Sequence, residues 1–553
     1  MSVWTNPIYE RELLGRLRSW KTVAAILAVA LVTCGLVLLR WPSDATVDRV
    51  SQGAVLVFRP LAFAMALAVM MLVPAFPATS LVTERQRGTL ALLLASPTSP
   101  LQLYLGKLLS NVLLSLLLIS VSLPALAACY AMGGVTWADH ILPLLLVLTA
   151  MAVQYSAIGL WISARVGSAD AALRLTYATV LTLTVLSFGP LVIVGNLSGI
   201  LATVARWLTM VSPLSALQEI TGAQAAASAV GVGTGWKEFL GATAAITLGL
   251  AWATIRQLDP LLLDRARPTG LVVGRGAAKA GFFRRVAYIV DPNKRKPGIP
   301  RWINPIMVKE FRTRRFGRLH WLIRLVAACA IVSLLLTVVA ATGTVSWGVE
   351  RIAGPLVLMQ VALLLLVGPS LGANLIAGEV ESGGWEILRA TPISARKVLV
   401  GKIMSVLWTM LLVLLATLPG YAVMSYIQPS TSGQVGNVIL SLLVAVCMVV
   451  SISACVSGFI KSTAAATATA YGVLLTLFAG TLVVWLARGR PFGPVFVERV
   501  LMLNPAAAAL SEMNTPGFEQ YNLTPMAWWI GLGISAACLG VLAVRIWRLT
   551  KPD

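Results

Sequence analysis

Long, continuous apolar runs alternate with short polar segments along most of this chain. Runs of about 20 residues cross a bilayer as helices, because hydrocarbon offers the backbone no hydrogen-bond partner. In the first half the predicted spans are Thr22–Leu39, Gly53–Thr83, Leu108–Met132, His140–Ser163, Leu175–Val194 and Phe239–Ile255. In the second half they fall near Leu322–Ala341, Ala353–Ala377, Ile403–Tyr426, Val438–Phe459, Ala464–Trp485 and Met526–Ile546. The runs do not alternate apolar and polar positions as the strands of a membrane barrel would. The pattern therefore predicts an all-α polytopic membrane protein with about twelve transmembrane helices. Pro60, Pro74 and Pro77 predict a kinked second span. Asn196–Trp236 is broken by Ser212-Pro213, and it reads as an outer loop with short helices dipping into the membrane edge.

The polar segments carry a repeat. Glu84 to Lys107, ERQRGTLALLLASPTSPLQLYLGK, returns as Glu379 to Lys402, EVESGGWEILRATPISARKVLVGK. Both copies start with Glu, have Gly at the fifth and Pro at the fourteenth position, and close with Gly-Lys at an offset of 295. A segment this short between two spans has room for one short helix at the membrane face. Asn6 to Lys21, with a capping Asn and a proline at the first helical position, reads as a basic helix lying in the inner interface. It recurs as Asn304 to Arg318. Val211-Ser212-Pro213 has its counterpart in Leu503-Asn504-Pro505, and Pro124 in Pro419. The chain thus divides into a six-span unit over 1–256, a basic linker over 257–303 and a second six-span unit over 304–553. An even number of spans makes these two parallel six-helix repeats, related by an axis along the membrane normal.

Composition agrees with a membrane protein. Of 553 residues, 58% are hydrophobic and 12% charged, with a mean hydropathy of +0.85. The net charge of +22 raises the question of nucleic acid. Placement answers it: with Met1 cytoplasmic, 34 of the 43 Lys and Arg fall in inner segments. That is the positive-inside bias of membrane proteins, with contact to anionic lipid, and it implies no nucleic-acid partner. Both termini are then expected in the cytoplasm, and the first apolar run is expected to stay as a span. Cys34, Cys129, Cys329, Cys447, Cys455 and Cys538 lie in apolar runs without metal-ligand spacing, so they read as small apolar residues. A strong excess of Arg over Lys points to a GC-rich bacterial genome.

The order of interfacial helix, two spans, E-R-x-x-G-T-L-x-x-L-L-A-x-P-x-S and a Gly-Lys opening the third span resembles the membrane subunit of type 2 ABC exporters. The G-subfamily of ABC transporters is more distantly similar. The resemblance implies connecting helices at the two interfacial segments and coupling helices at the two repeated polar ones. It also implies a separate nucleotide-binding ATPase at the cytoplasmic face, homodimer or heterodimer, which binds the ATP and Mg that this chain does not. The coupling residues it points to are Glu84, Arg87, Gly88, Thr89, Leu90, Leu94 and Pro97, and in the second copy Glu379, Gly383, Trp385 and Pro392. It places a substrate cavity along the second and fifth spans, where Phe58, Phe63, Met65, Met70, Met71 and Met359 would suit an apolar or amphipathic cargo leaving the cell. Family members are usually single units that dimerise, whereas two are fused here. Val380, Ser382, Gly384 and Trp385 replace Arg85, Arg87, Thr89 and Leu90, so the two coupling faces differ.

Other chemistry finds little support. The phosphate-cradling loop G-x-x-x-x-G-K-[ST] is not present: Gly106-Lys107 is followed by Leu108, and Gly401-Lys402 by Ile403. The chain is therefore expected not to be an enzyme. An ion-driven secondary transporter is the main alternative, but the central parts of the spans hold no Asp or Glu, and His140 and His320 sit at span edges. A permease-like scaffold that moves nothing stays open on sequence grounds. Glu84 is expected to pair with a base of the ATPase, or with Arg85 or Arg87 in its own turn.

Overall fold

The computed structural model describes residues 7–39, 53–96, 98–187, 200–222, 235–258, 304–313, 327, 350–391, 393–488 and 492–550. Asn6, Pro97, Pro392, Cys329, His320, most of the linker over 257–303 and the seventh predicted span near Leu322–Ala341 lie outside the described residues, Ala327 apart. All regular elements described are helical.

In the first half these are α1 (Pro7–Leu17), α2 (Trp20–Leu39), α3 (Gly53–Leu72), α4 (Ala75–Gln86), α5 (Thr89–Ala95), α6 (Pro100–Ser120), α7 (Leu123–Ala131), α8 (Leu142–Arg165), α9 (Ala169–Leu181), α10 (Ile200–Thr209), α11 (Pro213–Ile220) and α12 (Trp236–Gln257). The second half has α13 (Pro305–Thr313), α14 (Glu350–Gly372), α15 (Ala377–Glu381), α16 (Gly384–Arg389), α17 (Ala395–Ile427), α18 (Ser432–Phe459), α19 (Thr463–Leu475), α20 (Thr481–Leu486), α21 (Pro494–Leu501), α22 (Pro505–Glu512) and α23 (Met526–Thr550). Ten spans are long and apolar enough to cross a membrane among the described residues, five in each half. The protein is a multi-pass membrane protein. The first half's fifth predicted span is described only as α9 and the wide turn Thr182–Leu186 that follows it.

The second predicted span is two helices rather than one kinked helix. Pro74 sits at the break and heads α4, since its ring leaves no N–H to continue the ladder of α3. The third span starts earlier than its apolar run, at Pro100. Ser99 accepts from the Gln102 N–H while the Gln102 side chain accepts from the Ser99 N–H, a reciprocal cap that shortens the polar segment to α5. The fourth span is the hub of each half. In the first, α8 packs on α4, α6, α9 and α12. In the second, α18 packs on α14, α17, α22 and α23. Both are apolar on nearly every face, as burial on all sides requires: Leu144, Val147, Leu148 and Ala152 are fully buried in one, Ala445, Val446, Met448 and Val449 in the other. The halves meet through α9 and α19, whose Tyr177 and Tyr471 stack with ring centroids 4.6 Å apart.

Candidate functional site

The repeated polar segments build the same device twice. A left-handed glycine, Gly88 with φ 73° or Gly383 with φ 72°, turns the chain from the end of the second span into a short helix, α5 or α16. Only glycine takes this conformation without cost, which is why both copies keep it at the fifth position. The glutamate that opens each copy sits just before the turn, at the foot of the second span.

A buried lysine holds each glutamate. Lys107 Nζ lies 2.7 Å from Glu12 of α1 and 3.9 Å from Glu84. Lys402 Nζ lies 2.7 Å from Glu310 of α13 and 3.3 Å from Glu379. Both lysines are at most 2% exposed. A charge buried to that degree demands a charged partner, and here interfacial helix, second span and third span meet around one ammonium group. Gly401 makes the approach possible in the second half: a Cβ there would sit 2.8 Å from the Ile306 side chain of the neighbouring interfacial segment. The glycine of the Gly-Lys pair thus lets the interfacial helix close on the third span. Burial tends to push the Glu12 carboxyl up, but the Lys107 ammonium beside it holds it below its ordinary value.

The fourth span clamps the same region from the other side. Ser163 Oγ accepts from the Leu81 and Val82 N–H groups at 3.0 and 2.9 Å, and Ser457 Oγ accepts from those of Ile376 and Ala377 at 2.9 Å. Arg85 donates to the Ala164 carbonyl at 2.5 Å. Second span, repeated polar segment, α1 or α13, and fourth span therefore form one rigid corner in each half.

The copies differ where their sequences differ. Thr89 donates its hydroxyl to the Glu84 carboxylate and to the Glu84 carbonyl, the latter at 3.2 Å. Gly384 stands at that position in the second copy, and Glu379 takes Lys309 at 2.8 Å instead. Glu84 is held by Arg11 at 3.5 Å, Lys107 and Thr89, because α1 lies across the turn; of the two local partners expected, Arg87 is exposed and Arg85 reaches the Ala164 carbonyl. Leu90 is buried against a cluster that includes Ile8, Leu103 and Leu160, with Leu94 packed at its edge. Trp385 replaces it in the second half and donates its indole N–H to the Leu549 carbonyl at 3.2 Å. A pocket of 380 Å³ lies beside it, lined by Leu388, Arg389, Thr391, Ile393 and Val398 among others. Gln86, Arg87 and Gly88 are exposed in the first copy, as are Glu381, Ser382 and Gly383 in the second. Equivalent apolar residues stand out at both tips: Leu92 is 71% and Ile387 72% exposed.

Residues 42–256 match the family described as ABC-2 family transporter protein, and residues 304–509 match a second family of the same description. The chain belongs to the ABC-2 transporter family, with two of its membrane domains in one polypeptide. No individual curated protein matches it. It is the permease component of an ABC transporter.

The residues expected along the permease's substrate path take three kinds of position. Phe58, Met65 and Met70 are buried in the main core, Phe58 with its ring edge-on to His140 at 5.8 Å. Phe63 and Met359 pack half-buried against that core. Met71 lines an apolar groove of 460 Å³ between the two halves, with Ala64, Leu67 and Ala68 of α3, α2 on one side and Thr476, Val483 and Val484 of the second half on the other. Sequence reasoning did not single out Glu12, Glu310, Lys107 and Lys402, the residues that pair at the two corners. Their signal was present in the recurrence: a Glu in both interfacial helices, and a lysine carried at the same offset into both third spans.

Proposed function

We propose that this permease is worked by a separate nucleotide-binding ATPase seated on α5 and α16, and that it exports an apolar or amphipathic molecule. The observation that carries the reading is the duplicated rigid corner. Each short helix follows directly on a second span that a buried lysine ties to the interfacial helix and the third span, while its tip offers an exposed apolar residue to something outside the chain. A push on such a tip moves the second and third spans together, because parting them would strand a buried charge. The contact residues on this reading are Glu84, Arg87, Gly88, Thr89, Leu90, Leu94, Pro97, Glu379, Gly383, Trp385 and Pro392. ATP and Mg belong to the partner, a homodimer or heterodimer. The units are 1–256 and 304–553, joined by a cytoplasmic linker over 257–303, with both termini on the ATPase side of a bacterial inner membrane. The two halves rock about the tyrosine stack and open the space between them outward. The apolar groove beside Met71 supports a lipid-like or drug-like cargo over a charged one.

The test is coupling in the reconstituted permease–ATPase complex. Gly88→Trp and Glu84→Lys are expected to lower substrate-stimulated ATP hydrolysis several-fold while the permease still inserts in the membrane. Unchanged stimulation in both variants overturns the assignment of the coupling helices.

A further inference from the structure

The two halves are not equal where their fifth spans meet on the coupling-helix side. Asp170 and Arg174 lie one turn apart on α9. The corresponding positions of α19, at the offset of 294 that relates Tyr177 to Tyr471, are Ala464 and Ala468. The Arg174 guanidinium pairs with the Asp170 carboxylate and donates through Nη1 to the carbonyl of Ser370 at 3.2 Å. Asp170 Oδ1 accepts from Thr467 Oγ1 at 2.7 Å. Both outward contacts cross to the second half. Asp170 is 6% exposed and Thr467 fully buried, so water does not compete for their bond.

Ser370 is in the last turn of α14, where carbonyls have no intrahelical donor and a cation is favoured. The chain passes from that turn directly into α15 and α16, the second coupling segment. Arg174 therefore grips the foot of the helix that carries one coupling tip. Ala468 cannot make the reciprocal bond to the first.

We propose that Asp170 and Arg174 form a one-sided latch, which ties the first half's fifth span to the second half's coupling segment. A displacement of α16 is carried across to α9, whereas among the described residues no matching bond carries a displacement of α5 to α19. The two tips then do unequal mechanical work, even if identical ATPase copies push on both. The inference rests on the coupling reading for what drives the motion, but the link itself is a property of the permease alone.

The test uses the full-length permease in nanodiscs, with the six native cysteines replaced and spin labels placed in pairs. One pair joins Trp252 of α12 to Ser382 at the second tip; the other joins Trp252 to Gln86 at the first. Arg174→Ala and the milder Thr467→Val are compared with the parent by pulsed dipolar distance measurement. The expected result is a Trp252–Ser382 distribution that broadens beyond its parental width in both variants, with the Trp252–Gln86 distribution unchanged. An unchanged Trp252–Ser382 distribution in both variants overturns the latch, and so does equal broadening of the two pairs, which would mean general loosening. Because no ATPase is present, a failure of coupling in Gly88→Trp leaves this result standing, and the two readings fail separately.

Discussion

At the residue scale the decisive groups are two lysines that sequence alone would place at the edge of an apolar span. Lys402 and Glu310 are both almost fully enclosed, at 2% and 4% exposure, while Glu12, the partner of Lys107, is 19% exposed. Removing one member of an enclosed pair strands the other, at a cost of about 3–5 kcal/mol, whereas replacing both by apolar residues of similar volume is nearly neutral. Lys402→Met is thus expected to lower the thermal midpoint of the purified permease strongly, and Lys402→Met with Glu310→Leu to recover most of the loss. Lys107→Met is expected to cost less, because water reaches Glu12. Thermal unfolding in detergent, followed by tryptophan fluorescence, ranks the three. An equal loss in the single and double variants would show that the site needs charge for a reason other than pairing.

At the element scale both fifth spans widen by one residue at equivalent places, Thr182–Leu186 and Thr476–Gly480. A wide turn frees a backbone carbonyl, and a freed carbonyl in a membrane needs a donor. The short helices α11 and α22 supply it through their caps. Ser212, the cap of α11, donates to the Thr184 carbonyl at 2.7 Å. Asn504, the cap of α22, donates to the Phe478 carbonyl at 2.9 Å and to the Thr481 hydroxyl at 2.8 Å, and accepts from the Ala506 N–H at 3.0 Å. The Ser-Pro and Asn-Pro pairs are therefore pins between loop and span as well as helix starts. Asn504→Ala leaves a buried carbonyl and a helix start unsatisfied together, at about 1–3 kcal/mol for the former alone. Its melting temperature is expected to fall further than that of Ser212→Ala, which loses fewer bonds. The reverse order in a thermal series would mean that the pin is not what fixes the short helix to its span.

At the scale of the whole molecule, two copies of one plan are joined by a contact between equivalent residues. Tyr177 donates to the Met71 carbonyl at 2.6 Å, and Tyr471 donates to the Leu366 carbonyl at 2.7 Å. Each ring is fixed to the second span of its own half, and the rings then stack on each other. Such aromatic pairs contribute about 0.5–1.5 kcal/mol beyond the area they bury. In a double-mutant cycle of Tyr177→Leu and Tyr471→Leu, the loss in the double variant is expected to fall short of the sum of the singles by that amount. Strict additivity would place the contact between the halves elsewhere.

Local pattern alone determined that the chain is helical, that it crosses the membrane many times and that it is a duplication. Each of these is written locally, as apolar length or as recurrence at a fixed offset. The glycine of each repeated polar turn was legible for the same reason, since a left-handed residue leaves its mark on one position. Tertiary structure alone decided who partners whom. Glu12 and Lys107 are 95 positions apart, and nothing in either segment names the other until the interfacial helix folds across the third span. The same holds for proline: Pro124 follows a break between α6 and α7, while Pro419, at the matching position, lies inside the continuous α17. The local Leu-Pro sequence is identical at the two places, so the surroundings, not the residue, set whether the helix breaks. The unequal latch between the halves is the extreme case, because a bond from Arg174 to a backbone carbonyl 196 residues away leaves no pattern in sequence at all.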